Sequence, residues 1–191
     1  MSPSPAPETH EGVCACGLIR YRLTGPPLFV HCCHCRACQR ESGAAFAVNA
    51  MYESDRVHLL PRPSTDNSTS TTATAELDTH DLPTQSGRPQ RLSRCPSCKI
   101  VLWSLYGDNS DYVRFIRVGT LAEPGVMPPD AHIFVGRKAP WVVLPEGARV
   151  FDEFYDREEA WPEETKQRMA QVAEKKRRDR EPVKGMEGAK I

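Results

Sequence analysis

His31-Cys32-Cys33-His34-Cys35-Arg36-Ala37-Cys38 places four cysteines and two histidines within eight residues. Neither a hydrophobic core nor a turn requires that density. Cys33, Cys35 and Cys38 form C-x-C-x2-C, a spacing short enough for three thiolates to turn inward on one ion. Cys32 is a spare: adjacent thiols point differently, so it reads as a neighbour and not a ligand. His31 and His34 could each supply a fourth ligand and so close the triad.

Two further knuckles flank this cluster. Cys14-Ala15-Cys16-Gly17 is a C-x-C turn whose glycine suits a positive φ, and Cys95-Pro96-Ser97-Cys98 is C-x2-C. Structural zinc takes four Cys or His ligands in a tetrahedron, whereas catalytic zinc keeps one position open. The two knuckles can close one site together, because the ion itself makes the long-range staple. Such a site contributes ~10–16 kcal/mol of apparent binding energy, against ~5–15 kcal/mol for a whole domain. The tetrad Cys14, Cys16, Cys95 and Cys98 therefore reads as structural. A closed site on Cys14, Cys16, Cys33 and Cys35 is also chemically allowed, so spacing alone does not settle the pairing.

The triad Cys33, Cys35 and Cys38 then offers three ligands and leaves a fourth position for water or a substrate atom. Three thiolates on Zn²⁺ give a net negative site with blunted Lewis acidity. It would hold an incoming thiol as thiolate better than it would make hydroxide from water. The residues thus favour chemistry on a sulfur-bearing substrate, with His34 and His132 as candidate general acids.

Composition bounds the rest. The 191 residues allow one ordinary domain plus loops or tails. Lys+Arg 25 against Asp+Glu 25 cancel, so global charge recruits neither nucleic acid nor membrane. No apolar run approaches the ~20 residues that cross a bilayer, and the start of the chain has no basic, apolar export segment. A cytoplasmic, or alternatively nuclear, reducing location is expected, where eight cysteines point to metal or catalysis before disulfides.

Along the chain, residues 1–11 read as a disordered lead. Short strands are expected over 18–23, 44–52, 57–60, 131–135 and 141–144, with a hairpin over 100–106 and 112–118 beneath the second knuckle. Gln39 to Ser42 suit one helical turn closed by Gly43. Between Pro61 and Gln90 stand 15 Ser, Thr or Pro residues and no aromatic, the composition of a disordered polar insertion. Glu158 to Arg180 reads as a solvated terminal helix with a thin stripe of Met169, Val172 and Ala173, and a disordered tail follows. The fold expected is mainly β: zinc-stapled twisted antiparallel sheets of short strands with a C-terminal helix. The zinc domain occupies 12–156, and the helix and tail occupy 157–191.

These motifs are similar to those of the glutathione-dependent formaldehyde-activating enzyme family, also called the CENP-V/GFA domain. The resemblance rests on Gly12-Val13-Cys14-Ala15-Cys16-Gly17 running into Tyr21, Cys33-His34-Cys35-Arg36-Ala37-Cys38-Gln39-Arg40 with Gly43-Ala44, and Cys95-Pro96-Ser97-Cys98. Arg117-Val118-Gly119-Thr120-Leu121 and His132-Ile133-Phe134-Val135 with Trp141 extend it. It implies two Zn²⁺ ions, a structural one on Cys14, Cys16, Cys95 and Cys98 and a catalytic one on Cys33, Cys35 and Cys38. It also implies carbon–sulfur lyase chemistry that joins glutathione, or a similar small thiol, to formaldehyde. The chain departs from the family in Lys99, where a glycine is usual, and in the 61–90 insertion. A rival reading is a non-catalytic zinc-scaffolded binding module that uses the Lys175–Arg178 cluster on nucleic acid or chromatin. A formaldehyde or thiol sensor sharing the same site is a third.

Overall fold

A computed structural model describes residues 8–61, 74–83, 89–109 and 111–180. The described residues form eleven strands in two sheets. The smaller sheet is β1 (Thr9–Val13), β2 (Arg20–Thr24) and β5 (Val57–Leu60), in the order β1-β2-β5. The larger joins β3 (Phe29–Cys33), β4 (Ala47–Glu53), β6 (Asp78–Leu82), β7 (Gln90–Arg94), β8 (Val101–Tyr106), β9 (Val113–Arg117), β10 (Ala131–Ile133) and β11 (Val150–Phe151). Its order is β11-β10-β3-β4-β9-β8-β7-β6. All pairings are antiparallel except β10 with β3 and β10 with β11.

Side-chain alternation gives the large sheet two different faces. On one, Val30, Ala50, Tyr52, Trp103 and Ile116 pack with Ile19, Tyr21, Leu23 and Val57 of the small sheet. Tyr21 is the keystone there: its ring meets Trp103 edge-on at 5.7 Å and its hydroxyl bonds Thr120 Oγ1 at 2.6 Å. Its ring lies so close over Gly12 that no Cβ fits. On the other face, Phe29, Cys33, Ala47, Met51 and Val113 are covered by Tyr155, Ala160, Trp161 and Val172 of the C-terminal segment. Both faces of β3 are therefore buried, and all five of its residues are buried.

Four expectations are corrected. Residues 9–11 are not lead but part of β1, where Glu11 pairs with Arg20 and Arg22 of β2; residues 1–7 lie outside the described residues. Within the expected insertion, 78–82 and 90 are strand. The polar β6 holds its edge position through the backbone ladder and the cross-strand pairs Asp78–Arg94 and Asp81–Arg91; residues 62–73 and 84–88 lie outside the description. Residues 141–144 are not a strand: Trp141 and Val143 stand in solvent, and the ordered edge is β11 instead.

The C-terminal helix is the fourth. It divides at Trp161-Pro162 into α2 (Arg157–Ala160) and α3 (Glu163–Arg180), because proline has no N–H for a continuing helix. α3 is docked, not solvated, and polar anchors hold it. Thr165 Oγ1 donates to Leu28 O at 2.5 Å, and Arg168 binds both carboxylate oxygens of Glu53 at 2.8 and 2.7 Å. Arg168 also donates to the carbonyls of Pro26 and Pro27. Lys175, Lys176 and Arg177 of the basic cluster contact Asp55, Asn109 and Glu174. The expected tail, 181–191, lies outside the described residues.

Candidate metal centres

The two knuckles are built alike. Cys14 N–H donates to Ile19 O at 3.0 Å and Cys95 N–H to Ile100 O at 2.9 Å, so each loop reverses over five residues. Gly17 turns the first at φ +77°, and Lys99 turns the second at φ +63°. Lys99 thus adopts the left-handed conformation that favours glycine. Between the loops, Cys14 Sγ lies 3.6 Å from Cys16 Sγ, and Cys16 Sγ lies 3.7 Å from Cys95 Sγ. A disulfide requires ~2.0 Å, whereas the edge of a tetrahedron with ~2.3 Å Zn–S bonds is ~3.8 Å. All four sulfurs of Cys14, Cys16, Cys95 and Cys98 lie within 4.8 Å of one another. The Leu18 backbone N–H pulls the Cys16 thiol down to about 6, toward the ionised form that a metal ligand needs.

The triad is carried by the end of β3 and by α1 (Arg36–Ser42). Cys35 is the N-cap of α1, its sulfur accepting the Cys38 N–H at 3.4 Å, and Gly43 ends the helix at φ +63°. Gln39 Nε2 ties the loop to the carbonyls of His34 and Arg137. The sulfurs of Cys33, Cys35 and Cys38 converge within 4.8 Å, and no fourth Cys, His, Asp or Glu among the described residues joins them. Neither His31 nor His34 belongs to this group.

Crowding splits the three thiols. Cys33 and Cys38 draw Cys35 down to about 2; the same contact with Cys35 pushes Cys33 up to about 12, and Cys33 and Cys35 push Cys38 up. Without a cation the cluster holds one negative charge, and a divalent ion is what would let all three ionise. The donor set fits zinc, as does that of the tetrad.

The sheet face carrying Cys33 also carries a polar row that sequence reading missed. His31, Asn49 and Arg117 are direct cross-strand neighbours on β3, β4 and β9. Arg117 donates to Asn49 Oδ1 and pairs with the buried side chain of Glu41 on α1. Burial, and then the Arg117 charge, hold His31 down to about 4, so its imidazole is neutral. Tyr106 completes the row against Phe115, with ring centroids 4.7 Å apart. Burial first, and then the nearby Cys38 charge, push its hydroxyl up, so it stays protonated. His31 Nδ1, Arg117 Nε, Ser104 Oγ and Gln90 Nε2 are buried without a partner here. These residues are scattered from position 31 to position 117, and only the strand register brings them together.

His34 and His132, candidate acids in the sequence, lie elsewhere. His34 Nε2 is 3.1 Å from His132 Nδ1 and 3.6 Å from Cys32 Sγ. These three atoms form a group separate from the triad.

Comparison with known proteins adds three findings. A crystal structure of a Rhodobacter sphaeroides protein is similar over 74% of this chain and 98% of that chain, at 13% identity and a TM-score of 0.39, too loose a superposition to bear on the site. No curated protein sequence shows significant similarity to the chain. The family model described as glutathione-dependent formaldehyde-activating enzyme matches residues 9–137. That match spans more than half of the sequence and includes all eight cysteines, so the chain belongs to the glutathione-dependent formaldehyde-activating enzyme family.

Proposed function

We propose that this protein is a zinc-dependent carbon–sulfur lyase that acts on a glutathione-type thiol and a small aldehyde, in the manner of an S-(hydroxymethyl)glutathione synthase. The observation that carries the reading is the three-sulfur group of Cys33, Cys35 and Cys38 on the same sheet face as buried His31, Asn49 and Arg117 and half-buried Tyr106. Family membership supports a formaldehyde- and glutathione-related activity.

When bound, zinc on the triad supplies the positive charge that holds a substrate thiol as thiolate. The residues do the remainder. Cys33, Cys35 and Cys38 would hold the ion on a short loop, and the Glu41–Arg117 pair pins the helix that carries Cys38. The thiol gives up its proton, its sulfur attacks the carbonyl carbon, and the C–S bond forms. The C=O π pair moves to oxygen, which takes a proton and becomes the hydroxymethyl group. No electrons are gained or lost overall. Tyr106, half-buried and held protonated with the charge of Cys38 nearby, is suited to donate a hydrogen bond to the developing alkoxide. Held together, thiol and aldehyde react with the advantage of an intramolecular geometry.

The test is exchange of glutathione and formaldehyde followed by NMR line shape, for wild type and Cys35→Ser. The variant should lose roughly 100-fold in rate, equivalent to ~2.7 kcal/mol. Equal rates in the two proteins would refute the triad mechanism.

A further inference from the structure

Cys32, set aside in the sequence as a spare, sits at a place of its own. Successive residues of a strand face opposite ways, so Cys32 projects from the face opposite Cys33. The parallel register places His132 of β10 directly beside Cys32, and the His34 N–H continues that ladder to Ile133 O at 3.0 Å. One thiol and two imidazoles therefore meet on the far side of β3 from the catalytic triad.

From this juxtaposition we infer that Cys32, His34 and His132 form a third metal site, for a borderline divalent ion such as zinc. The donor atoms are spaced as ligands of one tetrahedral ion. With Zn–S ~2.3 Å and Zn–N ~2.0–2.1 Å, adjacent ligand atoms stand ~3.5 Å apart for sulfur and nitrogen, and ~3.3 Å apart for two nitrogens. The observed separations are 3.6 Å for Cys32 Sγ to His34 Nε2 and 3.1 Å for His34 Nε2 to His132 Nδ1. Cys32 and His34 are buried, while His132 is half-buried. The ion has a way in along His132, and water can complete the fourth position. Coordination displaces the Cys32 thiol proton and leaves both facing nitrogens unprotonated. A neutral histidine pair, by contrast, places one N–H between those two nitrogens.

The outer shell of this site is thin. His34 Nδ1 is buried with no partner, whereas tightly bound histidine ligands donate that second N–H to a carbonyl or carboxylate. Affinity below that of the four-cysteine site follows. The site lies apart from the proposed lyase chemistry, and a count of ions separates the two.

The experiment is metal content by mass spectrometry after equilibration with excess Zn²⁺ and desalting, on wild type, Cys32→Ser, His132→Gln and Cys35→Ser. Three zinc ions per chain are expected in wild type and two in each variant. If Cys32→Ser and His132→Gln keep the wild-type content, the three groups are a hydrogen-bonded cluster and the inference fails. An unchanged Cys35→Ser would instead count against the triad alone. His132→Gln perturbs the least buried member, so a folding defect in Cys32→Ser leaves it as the deciding variant. Co²⁺ loading provides the second readout: the wild type minus His132→Gln spectrum should contain a thiolate-to-cobalt band from one sulfur, and a flat difference overturns the site.

Discussion

The docking of α3 yields a quantitative prediction. Arg168 and Glu53 are joined by two bonds at 2.8 and 2.7 Å, and their side chains are only 9% and 11% exposed. Arg168→Met keeps the aliphatic stem and deletes the fork, leaving the Glu53 carboxylate buried with Arg56 at 3.5 Å as its remaining cation. Breaking a buried pair costs ~3–5 kcal/mol. The surviving Arg56 contact and the carbonyls of Pro26 and Pro27, which lose a donor but not a charge, place the loss near ~3 kcal/mol. For a chain of this size each kcal/mol moves Tm by ~2–4 °C, so a fall of roughly 6–12 °C is expected. The assay is calorimetry of the zinc-loaded protein at fixed free zinc, since bound metal shifts Tm by mass action. The double variant Glu53→Gln with Arg168→Met should recover most of the loss, because no buried charge is left uncompensated. A Tm within about 2 °C of wild type for Arg168→Met alone would refute the view that this pair is a main anchor of the helix.

Three further outcomes follow from the same geometry. Cys95→Ser should abolish the cooperative unfolding transition seen by circular dichroism, because it removes a ligand from a site worth ~10–16 kcal/mol; a retained transition would show that the tetrad is not structural. Gly12→Ala forces a methyl group into the Tyr21 ring and should cost roughly 3 kcal/mol in a urea titration; an unchanged midpoint would disprove the close approach. His31, held down to about 4 in the fold against ~6.5 in the unfolded chain, makes the unfolded state the better proton binder. Stability should therefore fall as pH drops from about 6.5 toward 4, by up to roughly 3 kcal/mol from this residue. His31→Gln should flatten that slope in denaturant titrations at fixed zinc, and an unaltered slope would assign the acid sensitivity to other groups.

What the sequence made legible was what chemistry had concentrated locally. Eight cysteines in two knuckles and one loop announce metal through their spacing, and the β8–β9 hairpin shows in its alternation and its Gly107 turn. What stayed hidden depends on contacts between distant positions. Arg117 and Glu41 are 76 residues apart, and Arg168 and Glu53 are 115 apart; no local pattern marks either end of such a pair. The thin apolar stripe of α3 points to solvent, yet charge and hydroxyl anchors help to dock it. The polar residues of β6 resemble a disordered segment, yet an edge strand needs only a ladder and compatible charges. Chain adjacency makes Cys32 look like a spare thiol, while its register partner His132 lies 100 positions away.

The four-cysteine staple also bears on how the chain is made. Cys16 and Cys95 are separated by 79 positions, and ribosomes deliver ~5–20 residues per second, so the first knuckle waits roughly 4–16 s for the second to emerge. Closing a loop of that length costs ~4 kcal/mol of chain entropy, which one captured ion offsets with a wide margin. If the tetrad binds zinc, each copy reaches a decision point as its second knuckle emerges, when available zinc would commit the nascent polypeptide to its fold and scarce zinc would leave two open cysteine pairs to quality control. Cellular zinc supply would then set how many molecules mature, before any of them meets a substrate.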